Sequence, residues 1–253
     1  MIPWEPLDTA EIPGGGGTLR LLRRGTEFSI MLGQNELMNS RLSGSEQALA
    51  DLVCARIAAR PEARLLIGGL GMGFTLRAAL ASLRPDARVI VAELVPAVIA
   101  WARGPMAQLH GASLDDSRVV LREADVAALI RQESAACDAI LLDVDNGPEG
   151  LTRAANDGLY DAAGLHSARA ALRPGGILAV WSAGPDRAFS QRLRQAGFAV
   201  EETIVRAHAG RGGARHCIWL ATRRDGAADA KPGPRREPVP RGRAVRESPR
   251  SRR

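Results

Sequence analysis

The sequence has little of what would indicate a secreted, membrane-spanning or metal-binding protein. Its three cysteines, Cys54, Cys137 and Cys217, are odd in number and far apart, which predicts neither a disulfide framework nor a metal cluster. The four histidines share no metal-ligand spacing, and no run of about 18 apolar residues could cross a membrane. The first residues carry acidic side chains where an export signal needs basic ones. We therefore expect a cytoplasmic protein without a metal ion.

Most of the sequence has no excess positive charge, because the excess is concentrated at its end. The formal net charge is +6, but residues 223–253 alone contain eleven basic and four acidic residues. The other 222 residues hold 23 basic and 24 acidic side chains and are close to neutral. Since a nucleic-acid-binding domain carries its basic residues on a folded face, we do not expect nucleic acid as a partner. The lack of a long apolar run likewise predicts no membrane partner.

The terminal segment 225–253 is rich in proline and arginine, and Val239 and Val245 are its only large aliphatic residues. Such a composition cannot bury enough apolar surface to offset the entropy lost on ordering. We therefore predict a basic, disordered tail. The sequence is divided accordingly into an N-terminal extension (1–44), an α/β domain (45–224) and the tail (225–253).

Short apolar segments alternate with helical patterns through the central region. Before them, Thr18–Arg23 and Glu27–Leu32 flank a glycine turn and predict a β-hairpin. A helix is predicted from about Glu46 to Ala59, and Pro174–Gly176 predicts a turn. The predicted strands are Arg64–Leu70, Arg88–Glu93, Arg118–Arg122, Cys137–Val144, Ile177–Trp181, Phe198–Val205 and His216–Thr222. This alternation is typical of a doubly wound, Rossmann-like α/β fold with a mostly parallel, seven-stranded sheet.

The first strand of the predicted sheet ends in a glycine-rich turn. Gly69, Gly71 and Gly73 have the spacing G-x-G-x-G, and glycine lets the backbone turn tightly and approach a ligand closely. The dinucleotide pattern G-x-G-x-x-G/A would need a small residue where Phe74 stands. The spacing favours a nucleoside without a pyrophosphate, and the alternative is a turn that only the fold requires.

Two acids at neighbouring strand ends fit a nucleoside. Glu93 follows Gly73 by twenty positions, a spacing that suits a carboxylate accepting hydrogen bonds from ribose hydroxyls. Asp125 follows the third strand and could accept a hydrogen bond from an adenine amino group. The alternatives are a solvated side chain for Glu93 and an N-cap for Asp125, and one aspartate could serve both roles.

The fourth strand ends in Asp143-Val144-Asp145-Asn146-Gly147-Pro148. Ligands of open α/β sheets bind at the carboxyl ends of the strands, and polar groups there are costly to bury without a partner. We expect Asp143 to face the cofactor and the substrate.

These segments together resemble a known family. The loop GGLGMG, the strand-end Glu93, the segment READ, the strand DAILLDVDNGP and the later LRPGGILAVWSA are similar to spermidine synthases (polyamine aminopropyltransferases), a branch of the class I S-adenosylmethionine-dependent methyltransferase fold. The resemblance covers about Leu37 to Val205.

The resemblance implies a transferase of polyamine biosynthesis. Such an enzyme binds decarboxylated S-adenosylmethionine or S-adenosylmethionine as a co-substrate and moves an aminopropyl group to an amine such as putrescine. It implies that Gly69, Gly71, Gly73, Glu93 and Asp125 bind the cofactor. It also assigns catalysis to Asp143 with Asp145 as a helper, places Asn146 at the substrate, and suggests a homodimer.

This sequence departs from the family in its amine-binding residues. The family usually has a second acid where Asn146 stands, and the segment SGSEQALA has no aromatic residue where the family has a tyrosine. Two alternatives follow: a methyltransferase that acts on a small molecule with intact S-adenosylmethionine, and a non-catalytic protein that retains only the nucleoside site. Trp181 is either a wall of the substrate site or a core aromatic residue.

Overall fold

The structure is a computed structural model, and it describes residues 2–144, 158–207 and 213–224. The predicted tail 225–253, as well as Asp145 and Asn146, lies outside the described residues.

Seven strands form one sheet in the order β10-β11-β9-β8-β5-β6-β7. Only β11 runs antiparallel to its neighbours, β9 and β10, so the predicted doubly wound, mostly parallel sheet is confirmed. The strand order reverses between β5 and β8, and the carboxyl ends of these two strands therefore flank the switch point of the sheet. The strands are β5 (Arg64–Gly68), β6 (Arg88–Glu93), β7 (Val119–Glu123), β8 (Cys137–Leu142), β9 (Leu172–Ser182), β10 (Phe198–Arg206) and β11 (Arg215–Arg223).

Helices cover both faces of this sheet. On one face, Leu65 and Ile67 of β5 belong to a core with helices α1 and α2, while Leu66 points to the opposite core with α5, α6 and α7. This alternation follows from the two-residue period of a strand, which places neighbouring side chains on opposite faces. The helices are α1 (Gly44–Ile57), α2 (Phe74–Ser82), α3 (Pro96–Arg103), α4 (Ala107–His110), α5 (Val126–Gln132), α6 (Ala162–Ala171) and α7 (Arg187–Gln195), with a 3₁₀ turn at Ser113–Asp115.

A separate antiparallel sheet precedes α1. Its strands β1 (Glu5–Glu11), β2 (Thr18–Arg24), β3 (Glu27–Leu32) and β4 (Asn35–Asn39) lie in sequence order. The predicted hairpin is the central pair β2–β3, and the sheet is larger than predicted. The two outer strands are short or mostly exposed, so they lack the apolar alternation by which strands are recognised in a sequence.

The N-terminal sheet packs onto the α/β unit. Leu21 and Ile30 share a buried cluster with Val98 and Trp101 of α3, and Nε1 of Trp101 donates a hydrogen bond to Asp8 at 2.7 Å. This contact fixes the small sheet over the carboxyl ends of β5 and β6. No helix among the described residues is long and apolar enough to span a membrane.

The predicted turn before β9 lies inside the strand. β9 runs continuously from Leu172 to Ser182, and Gly175 has φ of +68° within it. The pairing of β8 with β9 shifts between Cys137 and Ala139, so the glycine marks an irregularity of the strand rather than its beginning.

Candidate functional site

A cavity of about 180 Å³ lies at the carboxyl edge of the large sheet, beside the switch point. The loops after β5, β6, β7 and β8 form its floor, and the N-terminal sheet forms its roof. The roof is apolar, and consists of Ile12, Leu19, Ile30, Leu37 and Met38. Four ionisable side chains line the cavity among the described residues, and all are acids: Glu46, Glu93, Asp125 and Asp143.

The glycine loop lies between the strand ends and the roof. Gly69, Gly71 and Gly73 all have positive φ, at +91°, +48° and +74°. A Cβ atom on Gly69 would lie 2.4 Å from the backbone oxygen of Asp143, and one on Gly71 would lie 2.7 Å from Cε of Met38. Gly69 and Gly71 line the cavity. Gly69 is thus needed for the close crossing of two backbone segments, whereas Gly71 contacts the flexible end of one side chain.

Gly73 has a different neighbour. A Cβ atom there would lie 2.5 Å from Nδ1 of His110, so this glycine makes room for a histidine ring behind the loop. His110 is 1% exposed, and neither of its ring nitrogens has a hydrogen-bond partner among the described residues. Burial, with the nearby charge of Arg77, lowers the pKa of His110 to about 4. The ring is therefore neutral at pH 7 and serves as a packing group for the loop.

The buried His110 gives the stability of the protein a defined dependence on pH. The pKa is lower in the folded than in the unfolded chain, so the unfolded state binds more protons between about pH 6.5 and pH 4. From this group, we expect the free energy of unfolding to fall by up to about 3 kcal/mol as the pH falls through that window. Denaturant titrations of the unaltered protein and of His110→Gln at several pH values measure this fall. The difference in free energy of unfolding between the two proteins should shrink with acidification. A difference that does not depend on pH would contradict the lowered pKa of His110.

Glu93 is buried at the end of β6 and is 8% exposed, so the alternative of a solvated side chain is wrong. Its Oε2 accepts a hydrogen bond from the backbone N–H of Leu70 at 3.0 Å, and its Oε1 accepts one from Val95 at 2.9 Å. Burial raises the pKa of Glu93, while these backbone donors oppose the rise. The carboxylate joins the glycine loop to the start of α3, and its remaining lone pairs are available to a ligand.

Asp125 is the N-cap of α5. Its Oδ1 accepts a hydrogen bond from the backbone N–H of Ala127 at 2.8 Å, while the residue itself lines the cavity. Its Oδ2 has no partner among the described residues. The capping role is therefore present, and it leaves one oxygen for a second hydrogen bond.

Asp143 directly follows β8 beside the switch point. Its backbone N–H donates to Gly68 at 3.0 Å, and its Oδ2 accepts a hydrogen bond from the Thr75 hydroxyl at 2.5 Å. Burial, followed by the negative charge of Glu46, raises the pKa of Asp143 to about 7, and the hydrogen bond from Thr75 opposes the rise. Within the described part of the chain, Oδ1 has no partner. Asp143 thus has the pKa that a proton acceptor needs near neutral pH.

Two residues at this end of the cavity were not predicted to act with Asp143. Glu46 lies in the first turn of α1, and Thr75 lies in the first turn of α2. Both are remote in sequence from Asp143; Thr75 reaches it because α2 begins directly after the glycine loop, and Glu46 because α1 packs against α2. Trp181 also lines the cavity, and its ring lies 4.8 Å from that of His216 at an angle of 31°.

The predicted residues are partly brought together. Gly69, Gly71, Glu93, Asp125 and Asp143 share one cavity, while Gly73 lies behind the loop against His110. No group of three or more histidine, cysteine or acidic residues among those described could hold a metal ion.

Comparison with solved structures defines the fold. The chain is 16% identical to spermidine synthase from Thermotoga maritima, with a TM-score of 0.67 over 86% of this chain and 72% of that one. It is 18% identical to a spermidine synthase in complex with the transition state analogue AdoDATO, with a TM-score of 0.69 over 86% and 73%. It is 16% identical to the carbon methyltransferase CurJ, with a TM-score of 0.51 over 71% and 54%. No family model and no curated protein matches the sequence.

The fold is therefore that of class I methyltransferases. Its particular form, with the small antiparallel sheet before the seven-stranded one, is the spermidine synthase-like form, as the sequence predicted.

Proposed function

We propose that the protein binds decarboxylated S-adenosylmethionine and transfers its aminopropyl group to an amine such as putrescine. The observation that carries this proposal is the charge of the cavity, where Glu46, Glu93, Asp125 and Asp143 are the ionisable lining residues of the described chain. Decarboxylated S-adenosylmethionine has two positive groups, a sulfonium and an ammonium. Intact S-adenosylmethionine adds a carboxylate, for which these lining residues offer repulsion and no cationic partner.

The adenosine half of the co-substrate would lie between the glycine loop and the ends of β6 and β7. In this proposal, Gly69, Gly71 and Gly73 let the loop approach the nucleoside, and Glu93 accepts hydrogen bonds from the ribose hydroxyls. The free Oδ2 of Asp125 accepts one from the adenine amino group. The apolar roof excludes water from the sulfonium and the carbon that is attacked, which strengthens the electrostatic interactions within the cavity.

The transfer itself needs a neutral amine, because an ammonium has no lone pair with which to attack carbon. Asp143 would accept a proton from the acceptor ammonium, and its pKa of about 7 suits this step near neutral pH. The amine nitrogen then attacks the propyl carbon next to sulfur. The new C–N bond forms as the C–S bond breaks, and its electron pair passes to sulfur to give neutral methylthioadenosine. Asp145 remains a proposed helper of this step and Asn146 a proposed substrate-binding residue, from the sequence resemblance alone.

A turnover assay tests the proposal. Purified protein incubated with decarboxylated S-adenosylmethionine and putrescine should release methylthioadenosine and spermidine in equal amounts. Transfer of a methyl group from intact S-adenosylmethionine, with none from the decarboxylated form, would instead establish the methyltransferase alternative. Binding of methylthioadenosine without turnover of any amine would favour the non-catalytic one.

Compartment and assembly are part of the same proposal. The buried, free thiols of Cys54, Cys137 and Cys217 suit the reducing cytoplasm. A homodimer follows only from the sequence resemblance, and light scattering of the purified protein tests it.

The proposed function does not involve the basic tail. Deleting residues 225–253 should lower the isoelectric point strongly, because most of the excess positive charge is lost. The affinity for methylthioadenosine, measured by calorimetry, should stay within about threefold, because every residue proposed to bind the nucleoside lies outside the tail. A loss of affinity of tenfold or more would show that the tail contributes to the site.

A further inference from the structure

A second carboxylate lies at the reactive end of the cavity. Glu46, from the first turn of α1, lines the same cavity as Asp143 and is close enough for its charge to act on that residue. Its Oε2 accepts a hydrogen bond from the Ser45 hydroxyl at 2.6 Å, and its Oε1 has no partner within residues 2–144, 158–207 and 213–224. No basic side chain of these residues forms an ion pair with it. Two carboxylates thus face one cavity that no cationic side chain of the described residues lines.

The fold holds Glu46 in this place. The Thr75 hydroxyl lies 2.5 Å from Oδ2 of Asp143 and 3.3 Å from the backbone oxygen of Glu46, so one side chain links α2, the start of α1 and the end of β8. An acid in the first turn of a helix is favourable for the helix by itself, which is the simplest explanation of Glu46. That explanation does not require the side chain to face a cavity beside another acid, where like charges repel.

We propose that Glu46 binds the ammonium of the acceptor amine next to Asp143 and so holds the attacking nitrogen in place. This inference rests on the proposed aminopropyl transfer. The acceptor would be a primary amine whose carbon chain packs against Trp181, since an indole ring attracts a cation and offers a flat apolar surface. Glu46 thereby takes the part of the second acid that the sequence lacks at Asn146. Glu46 holds the nitrogen, while the proton passes to Asp143.

The role of Glu46 can be measured through the pKa of Asp143, because the neighbours of Asp143 are known. Glu46 from α1 and Thr75 from α2 act on Asp143, and Trp181 of β9 lines the same cavity. His216 of β11 stacks on Trp181 and is within reach of the Glu46 charge. Removing the charge of Glu46 removes one of the causes that raise the pKa of Asp143. A variant with glutamine there should therefore keep Asp143 ionised at lower pH than the unaltered protein does.

Glu46→Gln tests the inference in the full chain, with decarboxylated S-adenosylmethionine and putrescine as substrates. We expect the KM for putrescine to rise roughly 10- to 100-fold, because a charged hydrogen-bond partner of the amine is lost. The affinity for methylthioadenosine should stay within about twofold. The acidic limb of the pH profile of kcat/KM, which reports ionisation of Asp143, should move to lower pH. Glu46→Asp should restore part of the affinity for putrescine.

Asp51→Asn is the matched control, because Asp51 is an exposed acid on the same helix and is outside the cavity. It should leave the KM and the pH profile unchanged. If the unaltered protein is active and Glu46→Gln has the same KM for putrescine, this inference is overturned and the proposed function still stands. Absence of aminopropyl transfer in the unaltered protein would overturn both. If Glu46→Gln does not fold, an unchanged KM and pH profile in Glu46→Ser would overturn the inference equally.

Discussion

Asp143→Asn should lower kcat for aminopropyl transfer by roughly 10²- to 10⁴-fold, the range that a positioned general base contributes. Asparagine has nearly the same shape and can still accept the hydrogen bond of Thr75 through its oxygen, so the cavity should persist. It cannot accept the amine proton at neutral pH. Steady-state kinetics measure the loss, and calorimetry with methylthioadenosine should give a dissociation constant within about threefold of the original.

Asp86→Asn serves as the control for this experiment. Asp86 is an acid that pairs with Arg84 in the turn before β6, at the opposite end of that strand from the cavity. Its replacement should change neither kcat nor nucleoside affinity. If Asp143→Asn lost nucleoside binding and folding together, the residue would be structural. If it retained full activity, the assignment of the base would be wrong.

Gly69→Ala should destabilise the protein by roughly 2–5 kcal/mol, the largest effect that we expect on folding. Two costs add at this position. The backbone has φ of +91°, which side chains with a Cβ rarely adopt, and the new atom would lie 2.4 Å from the backbone oxygen of Asp143. Relief of the clash must push apart the loop after β5 and the end of β8. Denaturant unfolding measures the loss, and nucleoside affinity should fall with it.

Gly15→Ala separates the two costs. Gly15 has a similar φ of +81° in the β1–β2 turn, but no atom lies within 4 Å of an added Cβ. This variant should therefore show only the backbone cost, about 1 kcal/mol. Gly71→Ala should be intermediate, because its added Cβ meets the flexible end of Met38. Equal stability losses at Gly69 and Gly15 would contradict the close crossing inferred at the switch point.

The sequence predicts the large sheet well because its buried strands are continuous apolar segments. Leu65–Ile67 and Ala139–Leu142 are almost fully buried, and apolar segments this short that end in glycine or acidic turns favour buried strands of a parallel sheet. The acids that follow such strands must then lie at one edge. The sequence alone therefore predicts that Glu93, Asp125 and Asp143 lie close together, and in the structure they line one cavity.

The remainder of the site depends on tertiary packing that leaves no periodic signal. β1 and β4 owe their pairing to β2 and β3, and their own residues are mostly polar or exposed. Glu46 looks like any acid in the first turn of a helix, and its position beside Asp143 follows from how α1 packs. Gly73 belongs to the glycine pattern, yet its neighbour is His110, 37 positions later in the chain.

The most direct test of the acidic cavity compares two ligands that differ by one carboxylate. Isothermal calorimetry at low salt should show decarboxylated S-adenosylmethionine binding at least tenfold more tightly than S-adenosylmethionine, because the additional carboxylate would face Glu46, Glu93, Asp125 and Asp143. The preference should weaken at high salt. Tighter binding of intact S-adenosylmethionine would contradict the account and favour methyl transfer on the same fold.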